Sequence, residues 1–144
     1  MKLDLQISIA FDGRCEAAFR FYEQHLGAKI DALLTHAGTP AAKEVPPEWE
    51  KKILHGKLTI GDDVLMASDA PPGRYQKPQG FFVSLSVKEP AGAERIFDAL
   101  AEKGIVQMPI QETFWAVRFA MVVDRFGIPW MINCEKAGDQ KPVE

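Results

Sequence analysis

The side chains able to do chemistry in this 144-residue chain are few and scattered. His55 opens HGKLTI, a run whose alternation predicts a strand, and it falls on the face of that strand that would look away from a helix. An imidazole there suits a general base, because its protonation changes near neutral pH. It suits equally a hydrogen-bonded interior histidine. His25 and His36 are expected at the surface. Lys57 shares the face of His55 and can clamp an anion, or reach solvent past a sheet edge. Arg118 can pair bidentately with a ligand carboxylate or phosphate, or with a structural acid. Cys15 and Cys134 lack C-x-x-C spacing and read as reduced, buried thiols, although Cys15 falls near a helix start. Met66, Met121 and Met131 offer soft sulfur, more often an adaptable core filling than a soft-metal site. Phe114 and Trp115 suit either the mouth of a ligand site or a subunit seam.

Residues 3–11, LDLQISIAF, alternate strictly, with Leu3, Leu5, Ile7, Ile9 and Phe11 on one face and Asp4, Gln6, Ser8 and Ala10 on the other. Asp12-Gly13 breaks this strand. Residues 14–26 then carry the stripe Cys15, Ala18, Phe19, Tyr22 and Leu26 at helical spacing, with Gly27 placed as the cap. A strand over 28–34 follows, then a loop over 35–52 in which Trp49 is the packing anchor. Residues 55–60 and 64–68 form a hairpin across Gly61-Asp62-Asp63. Residues 69–80, DAPPGRYQKPQG, read as an internal linker.

After the linker the order begins again. Phe81, Val83, Leu85 and Val87 alternate with Phe82, Ser84 and Ser86. Pro90 opens a helix with the stripe Ala93, Ile96, Phe97 and Leu100, and Gly104 is placed to end it. A strand over 105–110 leads to a hairpin of 119–123 and 129–134, joined by Asp124-Arg125-Phe126-Gly127. The tail from Glu135 onward is expected to be polar and mobile.

Bulk properties narrow the function classes. An apolar content of 47% supports a packed core for one domain, or for two small halves sharing one. A net charge of −3 without a basic run argues against nucleic acid and anionic membrane as partners. No apolar run approaches the ~20 residues of a membrane helix. The N-terminus alternates too much for a signal peptide. A cytoplasmic protein is therefore expected.

Strand, helix, strands thus occurs twice, and either copy alone would expose a sheet face. The pieces FDGRCEAAFRFYEQHLGA, HGKLTIGDDVLMASDAPPG and ETFWAVRFAMVVDRFGIPWMIN resemble the PhnB-like group of the vicinal-oxygen-chelate superfamily, which contains the glyoxalases and bleomycin-resistance proteins. The resemblance covers nearly the whole chain. It implies an α+β fold in which two βαβββ modules, 3–69 and 80–136, form a cupped mixed sheet within a single domain of residues 1–144. It also implies a homodimer, which the 69–80 linker would allow to exchange modules. No agreed reaction comes with it.

Metal-dependent members such as glyoxalase I take one ligand from each of four strands. By resemblance those positions fall near Gln6, Met66 and Phe82, and on Met131 or, one register over, Ile132. Thioether and phenyl groups cannot hold a divalent ion in the way imidazole and carboxylate do. Neither a metal nor another cofactor is expected. The same faces carry Ser8, His55, Lys57, Ser68, Ser84, Ser86 and Asn133, a mixture that suits a small, partly polar organic ligand. The candidate contacts are Gln6, Ser8, Lys57, Met66, Ser68, Phe82, Ser84, Trp115, Arg118, Met131 and Asn133. Two readings stay open. One is a metal-free small-molecule-binding protein. The other is a lyase, isomerase or dioxygenase-like enzyme, with His55 as base or an unusual ion held through Gln6 and His55. Neither a Gly-rich strand-to-helix turn for S-adenosylmethionine nor a clustered Arg/Lys phosphate cradle is visible.

Overall fold

The computed structural model describes residues 1–137, and it divides into a unit of Met1–Gln76 and a second that begins at Lys77. The division falls inside the proline-rich 69–80 segment. Each unit is a four-stranded mixed sheet with one α-helix on one face.

The first unit runs β1 (Ile7–Phe11), α1 (Cys15–Leu26), β2 (Lys29–Thr35), β3 (Ile53–Ile60) and β4 (Asp63–Asp69), in spatial order β1-β4-β3-β2. β1 lies parallel to β4, and the other neighbours are antiparallel. α1 buries Cys15, Ala18, Phe19 and Tyr22, as its stripe predicts, and Leu26 stays half-buried. Phe19 meets Phe11 of β1 edge-on at 6.4 Å. Gly27 ends the helix at φ 66°, and its N–H donates to the Tyr22 carbonyl. The loop expected over 35–52 contains two short 3-10 turns, Pro40–Glu44 and Pro47–Trp49. Trp49 is the anchor expected there: its ring packs against Gly13, and the Lys52 ammonium lies 5.7 Å from the ring centre.

β1 is shorter than its alternation suggests. The parallel ladder pairs Ile7 with Leu65, and β4 itself begins only at Asp63. That register sets Leu5 and Gln6 opposite Asp63 and Val64 and leaves Leu3 beyond the start of β4, but the ladder itself stops at Ile7, so Leu3 and Leu5 are exposed outside the sheet and Gln6 precedes the strand. Alternation shows which residues can share a face. It does not show where pairing with the neighbouring strand stops.

The second unit runs β5 (Val83–Ser86), α2 (Pro90–Ala101), β6 (Ile105–Gln111), β7 (Ala116–Val123) and β8 (Pro129–Glu135), ordered β5-β8-β7-β6. α2 packs on β7 and β8, where Ala120, Val122, Trp130 and Ile132 are completely buried. Ala93 and Leu100 of the helix are buried and Ile96 and Phe97 half-buried. Phe81 and Phe82 lie outside β5, whose Val83 to Ser86 pair with Trp130 to Asn133. Glu135 belongs to β8, so the strand continues into the expected tail, and the remainder of that tail beyond Ala137 lies outside the described residues.

The β7–β8 turn is closed by a buried carboxylate. Asp124 Oδ1 accepts N–H bonds from Phe126 at 2.8 Å and Ile128 at 3.0 Å, and Oδ2 accepts from Trp130 Nε1 at 2.9 Å. Gly127 takes φ 87°, the conformation the turn needs from a glycine.

Gly104 has a different role from the expected helix cap. α2 ends at Ala101, and Lys103 supplies the positive φ of 60°. Gly104 instead permits close backbone approach, since a Cβ there would stand 2.4 Å from the Val123 carbonyl oxygen and 2.7 Å from that of Leu100. Gly104→Ala should therefore destabilise the protein by about 3 kcal/mol, at the upper end of overpacking costs because backbone must move. Urea unfolding of the variant checks this, and a midpoint equal to wild type would refute it.

Candidate functional site

Residues paired across adjacent strands project from the same face of a sheet. In the first unit Met66 pairs with Ser8 on one side and Lys57 on the other, and Ser68 pairs with Ala10. β3 alternation adds His55, which lies opposite Leu34. This is the face away from α1, since Ile9, Phe11, Leu65 and Ala67 on the other face are buried with the helix. His55 and Lys57 are both exposed on it. In the second unit Met131 pairs with Ser84 and Met121, and Asn133 pairs with Ser86 and Phe119, again on the face away from the helix.

Asn133 carries unused hydrogen-bonding capacity. Its Nδ2 donates to Glu135 Oε1 at 3.4 Å, and its Oδ1 is buried without a partner among the described residues. The amide orientation follows from the carboxylate, which accepts from an NH2 but would repel an amide oxygen. Beside it stands an aromatic wall, with Trp115 at 5.2 Å from Phe119 and 4.7 Å from Phe114.

Arg118 does not join these groups. It pairs in register with Cys134 and so lies on the helix side, where its Nε donates to Glu94 Oε1 of α2 at 3.0 Å and an Nη donates to the Val117 carbonyl at 2.7 Å. Of the two roles open to it from sequence, the geometry shows the structural ion pair. Phe82 is half-buried beside the start of β5, and Gln6 is exposed before β1.

A cavity of about 480 Å³ opens in the first unit at the end of β4. Ala10, Ser68 and Ala70 line its sheet side, His36, Glu44 and Pro46 come from the segment between β2 and β3, and Arg74 follows β4. Ser68 is the single expected ligand contact among its lining residues. His36, expected at the surface, is only 3% exposed. Its Nδ1 lies 3.0 Å from the Lys52 carbonyl oxygen, its backbone N–H donates to the same oxygen at 3.1 Å, and Thr39 Oγ1 donates to its carbonyl at 2.7 Å. The one signal that could have located it is the hydrophilic 35–52 segment folding back on β3, which periodicity does not record.

Asp69 also borders the cavity, with its carboxylate committed elsewhere: Oδ1 accepts from the Cys15 N–H at 2.9 Å and Oδ2 from the Ile53 N–H at 2.8 Å. Burial pushes the Cys15 thiol from its ordinary 9.0 up to about 12, with the Asp69 and Glu16 charges adding to the effect. Cys15 is thus an inert interior thiol. Cys134 is likewise buried, its sulfur 3.6 Å from the Lys88 carbonyl oxygen.

Among the described residues no three His, Cys, Asp or Glu side chains stand together as a metal site requires. Among the described residues no helix is long and apolar enough to cross a membrane.

With this geometry in hand, comparison with known proteins is informative. Residues 6–132 match the family model of the glyoxalase/bleomycin resistance protein/dioxygenase superfamily. Protein YjdN of Escherichia coli (strain K12) is 33% identical, over 94% of this chain and 96% of its own length. The crystal structure of protein PA1353 from Pseudomonas aeruginosa superposes with a TM-score of 0.84 at 45% identity, covering 93% of this chain and 98% of that one. A PhnB protein from Bacillus cereus superposes with a TM-score of 0.78 over 92% of this chain and 99% of its own, at 17% identity, a likeness of fold alone.

The Cys15 thiol has a measurable consequence. Its folded-state pKa lies above the unfolded value, so between about 9 and 12 the unfolded chain has released a proton that the folded chain retains. That contribution to stability is fully present below pH 9.0 and is lost as pH rises toward about 12. Urea midpoints at pH 8 and 10.5 should fall more in wild type than in Cys15→Ala. Equal falls would overturn the assignment.

Proposed function

Because the chain belongs to the glyoxalase/bleomycin resistance protein/dioxygenase superfamily, we propose that it is a PhnB-like small-molecule-binding member that works without a catalytic divalent ion. The observation that carries this reading is the chemistry of the sheet faces away from the helices. Met66 and Met131, which by the resemblance fall at or near two of the family's metal-ligand positions (Ile132, one register over, being the alternative for the second), lie on interior strands of those faces, flanked by Ser8 and Lys57 in one unit and by Ser84 and Met121 in the other. Thioethers there cannot replace the carboxylates a hard or borderline ion needs. They are polarizable surface for an organic ligand instead. Apolar contact supplies affinity at roughly 25 cal/mol per Å² before ordering costs. Hydroxyls and the Asn133 amide orient the ligand, since each group left unpaired costs ~1–3 kcal/mol.

The active form in this reading is a homodimer. Exposed Met1, Leu3 and Leu5, together with β1 at the edge of its sheet, favour burial against a second copy. Sedimentation equilibrium at micromolar concentration should give twice the chain mass, and a monomer would remove this element.

Two measurements test the central reading. Elemental analysis after growth in metal-supplemented medium should find well under one ion per chain, and chelator should leave the melting temperature unchanged, because a bound ion stabilises by mass action. In a thermal-shift screen of small amphipathic organics, Ser84→Phe should abolish the shifts of ligands held on the second unit's sheet face while the fold survives. His55→Gln should retain them in weakened form. Stoichiometric metal, or a turnover lost in His55→Gln with binding intact, would instead establish the enzyme reading.

A further inference from the structure

We propose that the cavity at the end of β4 binds a neutral, mostly apolar small molecule bearing one hydrogen-bond donor, such as a phenol, and that His36 Nε2 is its acceptor. The proposal goes beyond the sheet-face reading by adding a separate site in the first unit with its own ligand class.

His36 supplies the argument. A carbonyl oxygen only accepts, so the 3.0 Å contact between Nδ1 and the Lys52 oxygen requires the hydrogen to sit on Nδ1. In the neutral ring Nε2 is then an acceptor. That nitrogen makes no hydrogen bond among the described residues, and it is not one of their fully buried polar atoms without a partner. His36 is 3% exposed and lines the cavity, so Nε2 is the ring atom left to meet a ligand there. The backbone and side-chain bonds to Lys52 and the Thr39 bond hold the ring in place, so its lone pair is directed in advance.

Charge and size select the ligand. Asp69 borders the cavity with both oxygens committed to backbone N–H groups, so it contributes negative potential and no spare bonding capacity. Glu44 and Arg74 are exposed and of opposite sign, and offset each other. The interior balance therefore disfavours a carboxylate or phosphate and favours a neutral donor. The remaining walls are alanine, valine, leucine and proline, and Ser68 is the other hydroxyl partner. A volume of about 480 Å³ falls within the range of small-molecule sites.

The test compares 2-naphthol with 2-methoxynaphthalene, near-isosteres that differ in the donor, by fluorescence titration at neutral pH. Wild type should bind 2-naphthol about ten-fold more tightly, the discrimination expected when one buried acceptor is left unpaired. In His36→Asn the side-chain amide can still donate to the Lys52 carbonyl while Nε2 is gone, and the two probes should bind within about two-fold of each other. Should that variant not fold, nitrogen-15 imidazole shifts in wild type decide: His36 Nε2 should move on adding 2-naphthol and stay put on adding the ether. Equal affinities in wild type, no binding of either probe, a preference surviving in His36→Asn, or an unmoved Nε2 each overturn the site. Ser84→Phe separates the two readings. Screening shifts lost in Ser84→Phe with no naphthol binding in wild type would sink this site alone. Naphthol binding with no Ser84-dependent shifts would sink the sheet-face reading alone.

Discussion

The carboxylate of Asp69 ties three distant parts of the first unit together. It sits at the end of β4, caps the first N–H of α1 at Cys15, and holds the first N–H of β3 at Ile53. Each bond joins a charged acceptor to a buried donor, the class worth ~1.5–3 kcal/mol apiece. Arg14 at the helix N-cap makes no side-chain cap bond, so the helix start depends on a residue 54 positions away. The same negative charge at the positive end of the helix dipole is favourable. It is also unfavourable to a neighbouring thiolate, which is one reason Cys15 stays protonated.

The cavity follows from that arrangement. With β3 fixed at Ile53, Lys52 is placed so that its carbonyl receives both the backbone and the ring N–H of His36, and its ammonium reaches the Gly13 carbonyl at 2.8 Å. The 36–46 segment is thereby drawn over the end of the sheet, where Ala10, Ser68 and Ala70 form the opposite wall. A long hydrophilic stretch that looks like a plain connection becomes one side of a binding space, and loops on rigid scaffolds commonly carry such roles.

The second unit repeats the topology without repeating these interactions. Its helix starts at Pro90 with no side-chain cap, and its buried carboxylate, Asp124, lies in the β7–β8 turn. The corresponding turn in the first unit is the short Gly61-Asp62 connection. The segment between β6 and β7 is also short, and with no counterpart to the 36–52 stretch it builds an aromatic wall of Phe114, Trp115 and Phe119 beside Asn133. One chain thus presents two chemically different surfaces on the same strand order.

What the sequence by itself determined was the set of elements, their order, and the parity of each strand. These are local properties: period 2 in Val83 to Ser86, helical spacing in Cys15, Ala18, Phe19 and Tyr22, and turn chemistry at Asp124 to Gly127. Parity alone correctly grouped Ser8, Lys57, Met66 and Ser68, and Ser84, Met131 and Asn133. Tertiary structure decided where strands end, which face Arg118 serves, why Gly104 must be glycine, and that His36 is buried. Each of these depends on a partner far along the chain: Leu65 for Ile7, Glu94 for Arg118, Val123 for Gly104, Lys52 for His36. Local periodicity reports how a residue sits relative to its near neighbours. Burial of a polar group in a loop is set by what packs over it and which backbone group is there to receive its proton.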